Sequence, residues 1–420
     1  MASHMNAPAG MMRRMPATGS CTLHSLGAPR CSTCERGAFI QPGLAEIYGL
    51  LCTATRSILR GNGAAAAASA GAVSLGTLRR LFLEYVGIDP EELMQNAREA
   101  HASSDRLAPA PLLALAVPYV PPLDVDSVLE LLRTRLAPEV ERVSGSAYQR
   151  TFAECGSAGV LEVRDGRGSW LDVRVQADRW TGIVHVVERV RRLFNVDVNA
   201  QEADLWLHSD PIVGRLVQMR PGVRPPGSWG LFEAAVKAVL GCGWDVRGED
   251  WLGQLVERAG TAMHGSSLSH LTRLFPAPQQ LASLPADRLG LPFVKARSVH
   301  QLAHVASGGG AVVAASEPMQ RRLASLGAID GVGPVTAARF AWILGDPDAY
   351  PEKAGAPLPG TIVTASRKRA LHVADRWRPY RSFAYAQLAL SDRVPGMSAE
   401  GWPAVGRGDG VPTCQAGLSA

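Results

Sequence analysis

Ile329-Asp-Gly-Val-Gly-Pro-Val-Thr-Ala337 is a glycine-rich stretch between two helical patterns, and it predicts a tight hairpin. Gly331 and Gly333 allow φ > 0 and leave space for a ligand beside the backbone. Pro334 suits the first position of the second helix, where an N–H group would have no partner in any case. The hairpin therefore presents backbone N–H groups at a helix N-terminus, an arrangement that binds phosphate. A turn with a purely structural role is the alternative.

The hairpin lies in a long region in which only helical patterns occur. Apolar residues at helical spacing, separated by glycine or proline, predict helices at 231–240, 251–259, 268–274, 281–286, 294–306, 319–326, 334–344 and 366–377. We therefore expect an all-helical domain over 208–392. The glycine- and proline-rich residues 393–420 are expected to form a disordered tail.

The segment before this region has a different pattern. Alternating apolar and polar residues predict strands at 148–152, 160–163 and 171–175, with a glycine-rich turn at 165–168. Helical patterns at 126–136 and 182–193 flank these strands, and a proline cluster within 109–123 marks a domain boundary. The sequence thus predicts an α+β domain with a small antiparallel sheet over 109–207.

Residues 39–108 are interpreted as a degenerate helix-turn-helix. Ser74 is a suitable N-cap for a helix that carries Arg79 and Arg80, which would face the major groove of DNA. A small helical bundle with a solvated arginine pair is an equal alternative. Residues 1–38 are expected to form a disordered arm. Within the arm, Cys31 and Cys34 have the spacing of half a zinc site, but a structural site normally needs four ligands, so we expect no zinc there.

Composition narrows the class of protein without deciding its function. The 420 residues are 46% hydrophobic and 19% charged, which is typical of a folded chain of two or three domains. No apolar run reaches the roughly 18 residues needed to cross a bilayer, and the N-terminus does not resemble a signal peptide. Together with seven scattered cysteines, this predicts a cytoplasmic protein. The net charge of +5 permits a nucleic-acid partner without requiring one.

The hairpin resembles the helix-hairpin-helix of DNA glycosylases, in particular the bacterial inducible 3-methyladenine DNA glycosylases. Five ordered blocks carry the resemblance across 112–390: 117–124, 220–229, 232–241, 345–351 and 374–382. The resemblance implies a small α+β domain followed by a helical helix-hairpin-helix domain. It further implies a monomer that flips an N-alkylated purine out of duplex DNA and hydrolyses the N-glycosidic bond, with no required cofactor.

The N-terminal part resembles a different family. Residues 78–90 are similar to the first helix-turn-helix unit of the AraC-type adaptive-response regulators that are fused to such glycosylases in many bacterial chains. Cys31 and Cys34 would match only the last two zinc ligands of those regulators, and the second helix-turn-helix is missing. The resemblance therefore implies a truncated regulator.

The catalytic carboxylate of the resembling family has no direct counterpart. A cationic alkylated base leaves readily, so the chemistry needs a carboxylate near the sugar more than a general acid. The family aspartate lies two or three residues beyond the proline that matches Pro351, where this chain has Lys353 and Ala354. Glu352 is therefore the substitute candidate, and an exposed loop glutamate is the alternative. A lyase is not expected, because the lyase lysine of related glycosylases matches Val335.

The remaining candidate residues also follow from the resemblance. Gly331, Gly333 and Thr336 would bind phosphate, and the carbonyl groups of Gly327, Ile329 and Gly331 would hold a monovalent cation. Trp244 would fill the gap left by the flipped base. The candidates for the base pocket are Trp229, Tyr380, Phe383 and Tyr385, and those for added positive charge are Arg376, Arg378 and Arg381.

Three functions stay open from the sequence. The first is an active N-alkylpurine glycosylase that uses Glu352. The second is a DNA-binding pseudoenzyme or damage sensor, because the family aspartate is replaced. The third is a transcription regulator that acts through Arg79 and Arg80.

Overall fold

The computed structural model describes residues 44–102, 111–263, 268–314, 317–351 and 373–391. Several predictions concern other residues and lie outside this set: the arm at 1–38 with Cys31 and Cys34, the tail at 393–420, and Glu352. Among the described residues, no helix combines the length and the apolar character needed to cross a membrane.

The described chain begins with four helices: α1 (Ala45–Leu59), α2 (Ala64–Ala70), α3 (Leu75–Tyr85) and α4 (Pro90–Ala102). Ser74 caps α3 as predicted, because its hydroxyl accepts a hydrogen bond of 3.0 Å from the amide of Thr77. Leu78 and Phe82 on α3 are fully buried in the same apolar core as the sheet that follows. The four helices therefore share a core with the next part of the chain.

Five strands form one antiparallel sheet in the order β1-β5-β4-β3-β2. The strands are β1 (Leu112–Pro118), β2 (Glu141–Ser144), β3 (Ala147–Glu154), β4 (Ser157–Asp165) and β5 (Trp170–Ala177). The three predicted strands are confirmed as β3, β4 and β5. The sequence analysis missed β1, which lies in the region taken as a proline-rich boundary, and β2, which has only four residues.

Two helices pack with the sheet: α5 (Val125–Arg133) and α6 (Ile183–Leu193), both close to the predicted positions. Val186 and Val190 of α6 lie in the same buried core as Val173 and Val175 of β5. The predicted α+β class of this part is confirmed.

The rest of the described chain is helical. Its elements are α7 (Ala200–Leu207), α8 (Gly214–Met219), α9 (Leu231–Leu240), α10 (Gly248–Ala259), α11 (Pro278–Ser283), a 3-10 turn (Ala286–Leu289), α12 (Phe293–Ser307), α13 (Met319–Gly327), α14 (Pro334–Ile343), a second 3-10 turn (Asp375–Trp377) and α15 (Arg381–Ala389). The helices predicted at 231–240, 251–259, 294–306, 319–326 and 334–344 are confirmed with small shifts of their ends.

Two helix predictions need correction, and a third falls mostly outside the described residues. The helix predicted at 268–274 is wrong: Arg273 forms an isolated antiparallel bridge with Ala262, because this segment is anchored to Glu139 by backbone hydrogen bonds. The helix predicted at 281–286 is divided between α11 and the first 3-10 turn, since Pro285 cannot continue a helix. Most of the helix predicted at 366–377 lies outside the described residues.

A cluster of buried charges joins the sheet to α9. Arg150 of β3 lies 2.9 Å from Glu233 of α9, Lys237 lies 2.8 Å from Glu233, and Lys237 also pairs with Glu141 of β2. Burial alone would raise the pKa of Glu233, but Arg150 and Lys237 hold it at about 2. Two positive and two negative charges therefore compensate one another in the interior, where an unpaired charge would be costly.

Candidate functional site

The predicted hairpin is present between α13 and α14. Gly331 has a φ of +81°, a conformation that favours glycine, and Gly333 is extended as the N-cap of α14. A Cβ atom on Gly331 would lie 2.8 Å from the hydroxyl of Ser298 on α12. Glycine at 331 is therefore required by both the backbone conformation and the close approach of α12.

Side chains of α12 hold the hairpin in place. The hydroxyl of Ser298 donates a 2.6 Å hydrogen bond to the carbonyl of Asp330, and the amide of Asp330 donates a 3.0 Å bond to the side chain of Gln301. Arg297 forms a 3.1 Å ion pair with the carboxylate of Asp330. These three contacts fix the loop against α12.

The hairpin presents amide groups to solvent. Gly331 and Gly333 are exposed, and within the described part of the chain their N–H groups have no acceptor. Val335 and Thr336 lie in the first turn of α14, where an N–H group has no intrahelical partner. The carbonyl of Ile329 accepts a bond from the amide of Val332. The arrangement can bind a phosphate group.

Exposed apolar side chains lie next to the hairpin. Val294, at the start of α12, is exposed and approaches Gly331, and Phe293 beside it is more exposed still. Lys295 donates a hydrogen bond to the carbonyl of Val239, which brings the start of α12 to the end of α9. The loop after α9 carries Val246, whose side chain is 93% exposed.

Behind this surface lies an aromatic cluster, which we define as Trp244, Trp342, Tyr350, Trp377 and Tyr385. The indole N–H of Trp244 donates a 3.0 Å hydrogen bond to the hydroxyl of Tyr385. Trp342 lies edge-on to both rings, with centroid distances of 5.6 and 5.4 Å. Tyr350 contacts Tyr385 and Trp377. Burial raises the pKa of Tyr385 to about 12, so its hydroxyl stays protonated.

Comparison with known proteins identifies the relationship. A family model described as the AlkA N-terminal domain matches residues 114–230. Over 305 residues the chain is 30% identical to the "Probable bifunctional transcriptional activator/DNA repair enzyme AlkA" of Mycobacterium tuberculosis (strain H37Rv), covering 70% of this chain and 60% of that protein. The chain is also 29% identical over 290 residues to DNA-3-methyladenine glycosylase 2 of Escherichia coli (strain K12), covering 64% of this chain and 94% of that protein. The chain is thus similar to proteins named AlkA and DNA-3-methyladenine glycosylase 2, which confirms the resemblance to the 3-methyladenine DNA glycosylases.

Solved structures agree on the fold. The 3-methyladenine DNA glycosylase of Archaeoglobus fulgidus has a TM-score of 0.55 at 15% identity, with 68% of this chain and 100% of that chain covered. The apo form of Clostridium acetobutylicum 8-oxoguanine glycosylase/lyase has a TM-score of 0.52 at 14% identity, with 67% and 98% covered. The helix-hairpin-helix fold expected from the resemblance is therefore confirmed. The chain spans about 60% of the length of its mycobacterial relative.

The prediction that Trp244 fills the gap left by a flipped base does not fit the structure. Its ring is 5% exposed and bonded to Tyr385, so it cannot enter a duplex without leaving the aromatic cluster. Val246, two residues later, is an exposed apolar side chain of the same loop. The signal in the sequence was an isolated apolar residue between Asp245 and Arg247.

Of the four predicted pocket residues, only Tyr385 belongs to the aromatic cluster. Trp229 lies in the core of the α+β part, where the guanidinium of Arg150 stacks on its ring at 4.2 Å. Tyr380 contacts Trp206 and Phe383 at centroid distances of 6.4 and 5.8 Å. Sequence reasoning missed Trp342, Tyr350 and Trp377. Tyr350 and Trp377 had a signal, since they lie in the blocks 345–351 and 374–382 that carry the resemblance to the glycosylases.

The arginines expected to add positive charge are paired with carboxylates. Arg376 forms a 2.6 Å ion pair with Asp210, and Arg378 and Arg381 both pair with Asp348. Because these carboxylates neutralise them, the three arginines add little net positive charge to the surface. The sequence had predicted that they would add positive charge for binding DNA.

The predicted DNA-reading arginines of α3 differ from each other. Arg79 pairs with Glu91 and lies 3.7 Å from Asp89, while Arg80 is exposed. Of the two arginines expected to face DNA, only Arg80 therefore carries a charge that no described carboxylate compensates.

Metal ligands do not cluster in the described part of the chain. No group of three or more His, Cys, Asp and Glu residues is arranged there to hold a metal ion. The candidate cation site depends instead on backbone carbonyls. Those of Gly327 and Gly331 accept no backbone hydrogen bond among the described residues, so both could take part.

Proposed function

We propose that this chain binds duplex DNA and excises N-alkylated purines of the 3-methyladenine type in base excision repair. One observation carries the proposal: α14 begins with the exposed amides of the hairpin and leads, a little more than two turns later, to Trp342 in the aromatic cluster. The phosphate-binding amides and an aromatic ring on which a base can stack therefore belong to the same helix. Similarity to proteins named AlkA and DNA-3-methyladenine glycosylase 2 supports the same reaction.

Binding begins at the hairpin in this proposal. The free amides of Gly331 and Gly333, together with those of Val335 and Thr336, hold a backbone phosphate. The carbonyls of Gly327, Ile329 and Gly331 would hold a monovalent cation beside that phosphate and offset its charge. Such contacts do not depend on base sequence, which suits a protein that searches a chromosome for damage.

Val246 is suited to hold the duplex open. An apolar side chain that enters the base stack takes the place of the nucleotide that has rotated out. Val246 is nearly fully exposed and is followed by Arg247, whose charge can rest against the DNA backbone. The flipped base would then stack against aromatic rings, which favour purines and cationic rings.

Hydrolysis breaks the bond between C1′ of the sugar and the purine nitrogen. The electron pair of that bond goes to the departing base, a water oxygen bonds to C1′, and the proton that this water loses passes to solvent. A carboxylate near the sugar stabilises the positive charge that develops there. Glu352 is our candidate for that carboxylate because it directly follows Pro351, next to Tyr350 of the aromatic cluster. A monomeric protein in the cytoplasm is part of the same proposal.

Single-turnover release of methylated purines from alkylated duplex DNA tests the proposal. The same sample should also be tested for binding to a duplex that contains an abasic-site mimic. We expect release above the uncatalysed rate, and we expect Glu352→Gln to abolish release while binding persists. Glu257→Gln, which changes an exposed glutamate of α10, should leave both unchanged. Normal release by the Glu352 variant would exclude Glu352 as the catalyst.

A second candidate function is a DNA-binding pseudoenzyme or damage sensor. Lys353 and Ala354 at the positions of the family aspartate favour it. Binding to the abasic mimic without release of any base by the wild-type protein would establish this alternative. The regulator hypothesis has less support, because Arg79 is held by Glu91 and Asp89.

A further inference from the structure

Two histidines lie one turn apart on α12. His300 and His304 are four positions apart in the sequence, and their ring centroids are 4.6 Å apart at an interplanar angle of 76°. Residues four apart are neighbours on the surface of a helix, so both rings emerge on the same side of α12. His304 is exposed and His300 is half-buried, which leaves the pair open to solvent. The proposed reaction uses neither histidine.

The histidine pair has the spacing of a chelate. Imidazole nitrogens bind ions such as Zn²⁺ at about 2.0–2.1 Å, so two nitrogens on one ion lie roughly 3 Å apart. Rings whose centroids are 4.6 Å apart can bring one nitrogen each to that separation by rotation about their side-chain bonds. Because the two rings are already in contact, an ion has to order them less, and less side-chain entropy is lost on binding.

The position of the pair along α12 also favours a cation. α12 ends at Ser307, and His304 lies in its last turn. The C-terminus of a helix carries a partial negative charge, which attracts a positive ion within that turn. Arg297, three positions before His300, forms a 3.1 Å ion pair with Asp330, so its charge is largely offset. The electrostatic surroundings on α12 are therefore compatible with a bound metal ion.

We propose that His300 and His304 chelate one divalent transition-metal ion of the Ni²⁺, Cu²⁺ and Zn²⁺ class. Imidazole suits these ions, whereas Mg²⁺ and Ca²⁺ prefer oxygen ligands. Two protein ligands are fewer than the three or four of catalytic and structural zinc sites, so water completes the coordination shell and the ion exchanges with solvent. The site goes beyond the proposed function, which requires no metal. It also differs from the monovalent cation predicted at the hairpin, which backbone carbonyls would hold.

The ion binds to the helix that holds the hairpin. Gln301, between the two histidines, accepts a 3.0 Å hydrogen bond from the amide of Asp330, and Ser298 donates to the carbonyl of the same residue. An ion held by two side chains one turn apart binds the helical form of this segment more tightly than an unfolded form. Metal binding therefore stabilises α12, and the folded chain with it.

Calorimetric titration of the full chain with NiCl₂ tests the proposal. We expect a binding step with one ion per chain. Either His300→Gln or His304→Gln should weaken this step on the order of 100-fold, because the second imidazole binds intramolecularly. The ion should also raise the Tm of the wild-type protein by a few degrees and leave the Tm of both variants nearly unchanged. MgCl₂ at the same concentration should produce neither effect.

His208→Gln is the matched control, because it removes an exposed histidine at the C-cap of α7 and should leave the binding step intact. The proposal would be overturned if the wild-type protein lacked the step, if both α12 variants retained it, or if His208→Gln weakened it equally. One ion for two chains would also contradict it, since the ion would then bridge two copies instead of chelating within one helix. Base release is not measured here, so failure of the proposed function is a separate result.

Discussion

At the scale of single residues, the hairpin depends on one glycine more than on the others. Gly331 combines a left-handed backbone with a close neighbour, Ser298, whereas Gly327 at the end of α13 has open space where a Cβ atom would be. Gly333 also has open space there and an extended backbone. The three glycines therefore differ in how strictly glycine is required: a Cβ atom is unfavourable at position 331, whereas positions 327 and 333 have room for one.

This difference predicts the outcome of alanine substitutions. Gly331→Ala should destabilise the fold by about 1–3 kcal/mol, because the αL conformation is unfavourable for a residue with a Cβ atom. The displaced loop should also bind undamaged duplex DNA less tightly, by on the order of tenfold. Thermal unfolding and a binding titration measure the two effects. Gly327→Ala is the control, and an equal effect of both substitutions would contradict this explanation.

At the scale of elements, the contact between the sheet and α9 is made by charges. Glu233 can stay ionised in the interior only because Arg150 and Lys237 lie within 3 Å of its carboxylate. Since its pKa is about 2 in the folded protein and 4.5 in the unfolded chain, the unfolded chain takes up the proton first on acidification. The contribution of Glu233 to stability is therefore complete above pH 4.5 and is lost as the pH falls toward 2.

Glu233→Gln tests this contact. The substitution leaves two buried cations with Glu141 as their counter-charge, so we expect a loss of about 3–5 kcal/mol at neutral pH. Because glutamine does not titrate, the variant should also lose less stability than the wild-type protein as the pH falls from 4.5 to 2. Urea denaturation between pH 2 and pH 8 measures both effects. Glu257→Gln on the surface should follow the wild-type curve, and an unchanged acid slope in Glu233→Gln would assign the acid sensitivity to other groups.

At the scale of the whole molecule, the N-terminal helices are part of the α+β core. Arg191 of α6 donates to the carbonyls of Glu84 and Pro118, and the amide of Ala116 in β1 donates to the carbonyl of Gly87. These bonds tie α3 and the turn after it to the edge strand of the sheet. The four N-terminal helices are thus built into the same buried core as the sheet.

This shared core predicts a long-range effect of a substitution in α3. Phe82→Ala should destabilise the α+β part by about 3–5 kcal/mol, because the ring is fully buried among residues of the sheet. Leu83→Ala, at the exposed neighbouring position, should change stability by less than about 0.5 kcal/mol. Hydrogen exchange of the β1 and β5 amides would report the effect. Unaltered exchange in Phe82→Ala would mean that the helices fold independently.

Much of the fold and part of the candidate site could be predicted from the sequence. Local patterns sufficed for the Ser74 cap, the strands β3 to β5, most helices and the hairpin. They did not suffice for β2, because four residues are too few for an alternation to be recognised, or for 268–274, where contacts with Glu139 override a helical pattern. Trp229 and Tyr385 were both predicted to line the base pocket. Only their contacts with residues distant in the chain show that Trp229 lies in the core of the α+β part and Tyr385 in the aromatic cluster.

The sequence by itself determined the order of the elements, the conformation of the hairpin and the resemblance to the 3-methyladenine DNA glycosylases, because these follow from neighbours within a few residues or from ordered motifs. Only the tertiary structure decided which positively charged side chains are left without a carboxylate partner. Arg79, Arg378 and Arg381 meet carboxylates from other turns and segments, whereas Arg339 meets an aromatic ring. The physical reason is that the effect of a charge depends on distance and burial, which the chain sets only when remote segments pack together.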